Sequence, residues 1–221
     1  MATVAIPSTR IFTVADLLRQ LGDIPPERVR MRPPPGTATE KDVIEVEAHE
    51  DRLCELVDGV LVEKAMGWYE SRLAVILAYF LESFLEKHNL GVTAGEAGML
   101  RLVPGLVRIP DVSFVSWDRL PGHELPREPI PDLVPDLAVE VLSESNTRAE
   151  MNRKVGEYFR AGTRLVWLAD PKTRTVRVYT SPTRSKLLRE DQTLDGGTVL
   201  PGFSLSLKRW FARASRGPRR R

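Results

Sequence analysis

Two apolar segments joined by one amphipathic helix constrain the fold of this chain more than any other feature. The segments are LAVEVL, residues 137–142, and RLVWLA, residues 164–169. Between them, residues 146–161 have the apolar spacing of a helix, and Thr147 and Glu150 have capping-box spacing at its start. A strand, a crossover helix and a second strand usually form a parallel pair. The sequence therefore predicts that the two segments are neighbouring strands of a mixed sheet.

Further elements on both sides of this unit complete an α/β pattern. Apolar residues recur at three- and four-residue steps from Leu73 to Leu85, which predicts a helix that faces the core. The Asp-Gly pair between residues 54 and 64 predicts a tight hairpin. Other predicted elements are strands around residues 92–103, 110–117, 175–179, 186–189 and 198–200, and a last helix over residues 207–214. The order of a helix, three strands, a helix and a strand, with strands added at both ends, favours a mixed β-sheet flanked by helices.

The two ends of the chain differ from this central part. Residues 13–21 predict a short helix capped by Thr13, and residues 25–42, with three consecutive prolines, predict a surface loop. Five arginines among the last nine residues predict a basic disordered tail. We therefore expect an extension over residues 1–50, one domain over residues 51–212 and a tail over residues 213–221.

Composition narrows the classes of protein to which the chain could belong. The single cysteine, Cys54, cannot form an intramolecular disulfide, and the N-terminus lacks the basic start and apolar core of a signal peptide, so a cytoplasmic location is expected. The longest apolar run, residues 73–81, is too short to span a bilayer, so no membrane partner is expected. The net charge of +2 depends on the arginine-rich end, because the rest of the chain is net acidic. Charge therefore favours a nucleic-acid partner only weakly.

Two acidic residues stand out against the apolar pattern of the predicted strands. Glu140 is the one charged residue in LAVEVL, and Asp111 follows Pro110 at the start of the strand DVSFV. A lone buried carboxylate costs several kcal/mol unless it is neutralised, paired or bound to a metal. Two carboxylates at the ends of adjacent strands are suited to a hard cation, which prefers oxygen ligands.

Lys154 completes this set by its position in the predicted helix. It lies three residues after Met151 and four before Tyr158, beside the apolar stripe, and its long stem could reach back over the sheet edge. A lysine near two carboxylates and a metal can orient or activate the attacking water, while the metal polarises a phosphate. This combination suits hydrolysis of a phosphodiester.

Each of these residues also has a purely structural explanation. Glu140 could form an ion pair with a lysine or an arginine, Asp111 could be an ordinary turn aspartate, and Lys154 could be a solvated helix residue. Only the combination of these three residues favours a catalytic metal site over the structural explanations. Other chemistries have less support, because the three histidines lack zinc-ligand spacing and no glycine-rich phosphate loop follows a strand.

Three longer stretches of the sequence carry a family resemblance. They are the hairpin CELVDGVLVE at residues 54–63, PDVSFVSWDRLPG at residues 110–122 and PDLAVEVLSESNTRAEMNRKVGEYFRAGTRLVWLADP at residues 135–171. They resemble the Uma2 family of restriction-endonuclease-like proteins, within the PD-(D/E)XK nuclease superfamily, over most of residues 53–179. The resemblance implies a restriction-endonuclease-like core of a helix, three antiparallel strands, a helix and a parallel strand, which agrees with the order predicted above.

The resemblance also implies roles for individual residues. Pro110 and Asp111 match the PD element, and Glu140 matches the acidic residue of the (D/E)XK element. Leu142 stands where that element has its lysine, and Lys154 matches a position to which the lysine has migrated in this family. Asp111, Glu140 and Lys154 are therefore the expected catalytic set.

Three more residues are implied as metal ligands. The backbone carbonyl of Val141 is expected to join the two carboxylates in binding the metal. Glu55 and Glu70 fall where related sequences often carry acids, so each is expected to be either an outer metal ligand or a solvated charge. Related sequences often have a histidine after the second of these acids, whereas this chain has Ser71.

The function implied by this resemblance is that of an endonuclease that depends on Mg²⁺ or Mn²⁺ and hydrolyses phosphodiester bonds, with DNA as the expected partner. A two-fold homodimer would suit cutting both strands of a duplex. Two alternatives remain open. The net acidic body and the missing strand lysine favour a noncatalytic nucleic-acid-binding or regulatory protein on the same scaffold. The other alternative is an interaction module in which the carboxylates form only structural pairs.

Overall fold

The computed structural model describes residues 13–65 and 67–215, and within them the chain forms five α-helices and twelve β-strands. The helices are α1 (Val14–Gln20), α2 (Glu40–Glu50), α3 (Trp68–His88), α4 (Arg148–Ala161) and α5 (Leu207–Ala214). The strands are β1 (Cys54–Val57), β2 (Val60–Glu63), β3 (Gly91–Ala94), β4 (Leu100–Val103), β5 (Leu106–Arg108), β6 (Val112–Ser116), β7 (Leu137–Val141), β8 (Leu165–Asp170), β9 (Thr175–Tyr179), β10 (Ser185–Leu188), β11 (Thr193–Gly196) and β12 (Leu200–Ser206). The predictions of α1, α3, α5, β9 and β10 are confirmed.

The predicted unit of strand, helix and strand lies at the centre of a six-stranded sheet in the described part of the chain. The strand order is β10-β9-β8-β7-β6-β3, and β7 and β8 are parallel, with Glu140 opposite Leu168. The Thr147 side chain accepts a hydrogen bond from the backbone N–H of Glu150 at the start of α4, and Gly162, at φ 111°, ends the helix. The prediction of a parallel pair in a mixed sheet is confirmed.

The two faces of this sheet have different partners. Leu137, Val139 and Val141 point to one face, where α3 and α5 cover them in an extensive apolar cluster. Ala138 points to the other face, where it belongs to a cluster with Met151 of α4. Because side chains alternate along a strand, the glutamate of β7 also points to α4.

A four-stranded sheet of order β2-β1-β5-β4 contains the predicted hairpin, which is confirmed. On one face of this hairpin, Leu17 of α1 and Leu21, which follows α1, belong to an apolar cluster. On the other face, α2 contributes Val43 and Val46. Residues before position 50 therefore supply part of the core around this sheet.

The helix α2 corrects the prediction for the N-terminal region. The sequence predicted a loop over residues 25–42 and no helix directly after it, whereas α2 begins at Glu40. The backbone N–H of Thr39 donates to the Asp42 carboxylate (2.6 Å), which caps the first turn. The three prolines end at residue 35, before this cap, so they do not prevent the helix.

Two predicted strands also have different bounds in the structure. The strand predicted over residues 92–103 is two strands, β3 and β4, which lie in different sheets because the chain turns between Gly95 and Gly98. The strand β5, which was not predicted, pairs with both β1 and β4. In place of the short strand predicted over residues 198–200, the structure has an antiparallel pair of strands, β11 and β12. Gly196 of β11 pairs with Leu200 of β12.

The predicted basic tail falls largely outside the described residues. Arg213 belongs to α5, and its guanidinium carbon lies 4.4 Å from the centre of the Tyr79 ring, whereas residues 216–221 are not described. Within residues 13–65 and 67–215, no helix combines the length and the apolar character needed to cross a bilayer.

Candidate active site

Asp111 and Glu140 lie at the same end of two neighbouring antiparallel strands. Asp111 directly precedes β6 and donates its backbone N–H to the Val139 carbonyl (2.9 Å), and Glu140 is near the end of β7. Both residues are buried, with 3% and 5% of their surface exposed. The backbone N–H of Val141 donates to Asp111 Oδ2 (2.6 Å). The structure thus brings together the two carboxylates that the sequence singled out.

Lys154 of α4 reaches the carboxylate of β7. Its Nζ lies 3.2 Å from Glu140 Oε2 and 3.0 Å from Glu55 Oε1. Tyr158, one turn later on the same helix, donates its hydroxyl to Glu140 Oε1 (2.6 Å). A spacing of four residues places both side chains on the helix face that meets β7.

A second lysine, which the sequence analysis did not single out, holds the other carboxylate. Lys64 follows β2, and its Nζ lies 2.8 Å from Asp111 Oδ1. It also donates to the backbone carbonyls of Ile109 (2.8 Å) and Glu96 (3.1 Å). The only sequence signal for this contact is the place of Lys64 at the end of the predicted hairpin.

Glu55 of β1 is buried at the centre of this charged cluster. It is 1% exposed and, besides Lys154, it accepts hydrogen bonds from the guanidinium of Arg108 (2.6 Å) and the backbone N–H of Ile109 (3.2 Å). Of the two roles expected for Glu55, the solvated charge is therefore wrong, because its carboxylate is removed from water and fully paired.

Arg108 extends the cluster toward the surface. It pairs with Glu157 of α4, which also lies 2.7 Å from Arg153, and Arg153 lies 2.7 Å from Asp58 in the hairpin turn. Positive and negative side chains therefore alternate from the hairpin to α4. Buried charges are tolerated when each one is paired and hydrogen bonded, as these are.

This pairing affects the ionisable groups unequally. Burial alone would raise the pKa of Glu55, but the charges of Lys154 and Arg108 outweigh it and hold this pKa well below its usual value. Burial raises the pKa of Glu140; Lys154 opposes this rise, while the carboxylates of Asp111 and Glu55 add to it. Burial would lower the pKa of Lys154, but Glu140 and Glu55 raise it above its usual value. Glu140 is therefore a carboxylate that a further nearby cation would stabilise.

Glu70 has no direct contact with this cluster within the described residues. It is in the first turn of α3, and among the described residues no hydrogen bond or ion pair joins it to the two carboxylates. It lines a separate cleft of about 640 Å³, together with Ser143, Glu144, Asp170 and Lys172. Glu70 is therefore not in direct contact with the other expected ligands, although its carboxylate lies beside Gly67 at the start of α3.

A cleft of about 290 Å³ connects the cluster to the surface. It is lined by Leu53, Lys64, Gly67, Trp68, Ser71 and Glu96, and we call it the Lys64 cleft. Trp68 is 79% exposed, so the cleft has an aromatic side chain available to solvent. A larger cleft of about 670 Å³, between the start of α4 and β9, contains none of the buried carboxylates.

The donor atoms at this site fit a hard divalent cation. Within residues 13–65 and 67–215, no three or more acidic, histidine or cysteine side chains form a ready metal site. Mg²⁺, however, is usually held by one or two carboxylates together with several waters. Asp111 and Glu140 supply two carboxylates, and the pKa of Glu140, raised mainly by burial and further by the neighbouring carboxylates, fits a position that a cation would stabilise. The residues present are therefore compatible with Mg²⁺ or Mn²⁺.

Comparison with known proteins agrees with this architecture. A family model described as "Putative restriction endonuclease", Uma2, matches residues 41–208. The crystal structure of "a putative nuclease belonging to DUF820" from Anabaena variabilis ATCC 29413 is similar with a TM-score of 0.66 and 21% identity, over 74% of this chain and 92% of that chain. This likeness confirms the predicted restriction-endonuclease-like fold. No curated protein matches the sequence. Since the family model matches most of its length, the chain belongs to the Uma2 family.

Proposed function

We propose that this protein is an endonuclease that depends on Mg²⁺ or Mn²⁺ and hydrolyses phosphodiester bonds in DNA. The observation that carries the proposal is the contact between Lys154 and Glu140, beside Asp111 at the end of the neighbouring strand. By the family resemblance, these residues would be the two acids and the migrated lysine of the nuclease signature. The family description supports the same reaction, since it names a restriction endonuclease.

In this proposal, Asp111, Glu140 and the backbone carbonyl of Val141 would hold the metal ion. When bound, the ion supplies Lewis-acid polarisation of the phosphate and lowers the pKa of a coordinated water. Asp111 is kept in position by the backbone N–H of Val141. Glu140 is kept in position by the hydroxyl of Tyr158.

The protonation state of Lys154 defines its role in the proposed reaction. Burial would lower its pKa, but Glu140 and Glu55 raise it, so this lysine stays protonated at neutral pH. A protonated ammonium cannot take a proton from water. Lys154 therefore acts as a hydrogen-bond donor that orients the attacking water and offsets the negative charge that develops on the phosphate. A two-fold dimer of such sites would cut both strands of a duplex.

The test is a cleavage assay on duplex DNA, single-stranded DNA and RNA, with Mg²⁺, with Mn²⁺ and with chelator. We expect Asp111→Asn, Glu140→Gln and Lys154→Met each to lower the metal-dependent cleavage rate by about 10²-fold or more. The matched controls are Asp191→Asn, Glu86→Gln and Lys87→Met, which change the same residue types at exposed positions. These controls should keep the wild-type rate.

A noncatalytic nucleic-acid-binding protein is the second candidate. Leu142 in place of the strand lysine favours it, as does the pairing of Asp111 with Lys64, which already neutralises this carboxylate. Retained DNA binding by wild-type protein, without metal-dependent cleavage of any substrate, would select this candidate. Cleavage that the three site variants leave unchanged would show that the reaction occurs elsewhere.

A further inference from the structure

Lys64 is a buried lysine whose hydrogen-bonding capacity is fully used. Only 6% of its side chain is exposed. An ammonium group has three donors, and Lys64 directs them to the carboxylate of Asp111 and to the carbonyls of Ile109 and Glu96. One charged partner and two neutral ones therefore hold this lysine, which lines the Lys64 cleft.

The two lysines of the site differ in what holds them. Lys154 lies between two carboxylates, Glu55 and Glu140, so it keeps a charged partner even if one of them binds a cation. Among the described residues, Lys64 forms its one direct ion pair with Asp111, and it interacts with Glu140 only through a longer-range charge effect. A divalent cation shared by Asp111 and Glu140 would repel Lys64 and leave it in direct contact with two backbone carbonyls only. Lys64 is therefore the lysine that a metal ion would displace.

The space into which Lys64 could move is the cleft that it lines. The long stem of a lysine allows its ammonium to turn while its backbone N–H keeps its hydrogen bond to the Leu53 carbonyl (2.8 Å). The walls of the cleft include the hydroxyl of Ser71 and the exposed ring of Trp68, a polar and an aromatic group suited to a nucleotide. A phosphate in this cleft would provide the negative charge that Lys64 loses when Asp111 binds metal.

We propose that Lys64 is a displaceable counter-ion of Asp111: it neutralises this carboxylate in the metal-free protein and turns to the substrate phosphate when a divalent cation replaces it. The inference rests on the proposed function, because Asp111 must be a metal ligand. It makes metal binding and phosphate binding cooperative, since each one lowers the cost of moving Lys64 for the other.

The test is the affinity of the purified protein for Mn²⁺ in the absence of nucleic acid, measured from the electron paramagnetic resonance signal of free Mn²⁺. We expect Lys64→Met to bind Mn²⁺ at least about tenfold more tightly than wild type, because the ion no longer competes with an ammonium. Lys87→Met, an exposed lysine on α3, should bind as wild type does. The double variant Lys64→Met with Asp111→Asn should lose the added affinity. Lys64→Gln keeps an N–H donor without the charge, and it should bind Mn²⁺ as tightly as Lys64→Met. It replaces the methionine variant in this test if that variant does not fold.

Cleavage at saturating Mn²⁺ gives the second readout. We expect Lys64→Met to cleave more slowly by about tenfold or more, because the substrate phosphate loses a cation. A purely structural lysine would lower stability without tightening metal binding. Unchanged or weaker Mn²⁺ affinity in a folded Lys64 variant would thus overturn the inference, even if wild type cleaves DNA. Tighter Mn²⁺ binding that depends on Asp111, in a protein that cleaves nothing, would overturn the proposed function alone.

Discussion

Two of the three Pro-Asp pairs in this chain place their aspartates in different surroundings. Asp111 faces the charged cluster, whereas Asp136, at the start of β7, lies at a junction of loops. Asp136 is 1% exposed and accepts hydrogen bonds from the backbone N–H of Ser116 (2.8 Å) and from the side chains of Arg119 (2.7 Å) and Arg164 (3.0 Å). It therefore fixes the end of β6 against the starts of β7 and β8. This junction is at the opposite end of β7 from Glu140.

Replacing this carboxylate should change how stability depends on pH. Burial would raise the pKa of Asp136, but hydrogen bonds from Ser116 and Arg119 outweigh it and hold the pKa below its usual value. A lowered pKa adds stability above the unfolded pKa of about 3.9, and this stability is lost as the pH falls. We expect Asp136→Asn to lower the free energy of unfolding by about 1–3 kcal/mol at pH 7 and by less at pH 3. Urea unfolding at both pH values measures the difference.

The exposed Asp191→Asn is the control, and it should leave the unfolding free energy nearly unchanged at both pH values. A destabilisation by Asp136→Asn that is equally large at pH 3 and pH 7 would contradict the ionic explanation. The loss would then come from the changed hydrogen-bond geometry of the amide.

Sequence reasoning found the residues that break a local pattern and missed those that depend on distant contacts. Glu140 interrupts an apolar strand, and Lys154 lies beside an apolar helix stripe, so both were predicted as candidate catalytic residues. Lys64 follows Glu63 at the end of a hairpin, which is the ordinary setting of a solvated lysine. Its burial results from segments around Glu96 and Ile109, far away in sequence, and no local pattern contains that information.

At the scale of elements, α1 docks onto the start of α4 through a glycine. Gly22 has φ +90°, and a Cβ atom at this position would lie 2.5 Å from the backbone nitrogen of Glu150. The Thr147 hydroxyl donates to the Gly22 carbonyl. The buried pair of Arg28 and Glu150 (2.8 Å) holds the following segment against the same helix. The N-terminal helix is therefore attached to the helix that carries Lys154.

A pair of glycine substitutions tests this attachment. Gly22→Ala should destabilise the protein by more than Gly36→Ala, because both glycines have φ +90° but Gly36 has no atom within 4 Å of the added methyl group. The difference isolates the collision with α4 from the cost of the backbone conformation, which is about 1 kcal/mol for alanine at positive φ. Thermal unfolding followed by circular dichroism measures both. Equal losses would mean that α1 shifts to accommodate the methyl group.

The elements that the sequence predicted are those with strong local signals. The unit of β7, α4 and β8 has apolar strands, a capped helix and a terminating glycine, and all of its parts were predicted. The helix α2 has few apolar residues, and its cap at Thr39 follows a proline-rich segment, so its start was predicted as part of the loop over residues 25–42 and no element was predicted over the rest. The strands β4 and β5 are short, and their pairing in the second sheet depends on β1, which is distant in sequence.

At the scale of the whole molecule, buried charges join the two sheets. Glu55 and Arg108 belong to the four-stranded sheet, and their partners Lys154 and Glu157 belong to the helix that covers the six-stranded sheet. Separating the sheets would leave these charges unpaired in a partly buried surface, which is strongly unfavourable. The two sheets should therefore unfold together.

The single cysteine provides the measurement. Cys54 lies in the four-stranded sheet, fully buried, and burial raises the pKa of its thiol to about 11, so it should not react with a thiol reagent at pH 8 in the native state. Trp167 and Trp210 lie in the apolar cluster of the other sheet. We expect thiol labelling and the loss of tryptophan fluorescence to have the same urea midpoint. Labelling at a clearly lower urea concentration would mean that the small sheet opens by itself.

The alternation of side chains along β7 has a consequence for how the strand finds its partner. A shift of the β7–β8 pairing by one residue would turn Glu140 away from Lys154 and into the apolar cluster of Leu73, Leu77 and Trp167. The misplaced charge would make that alternative alignment far less stable than the native one. The acid proposed for metal binding would thus also favour a single alignment of the two central strands, β7 and β8, during folding.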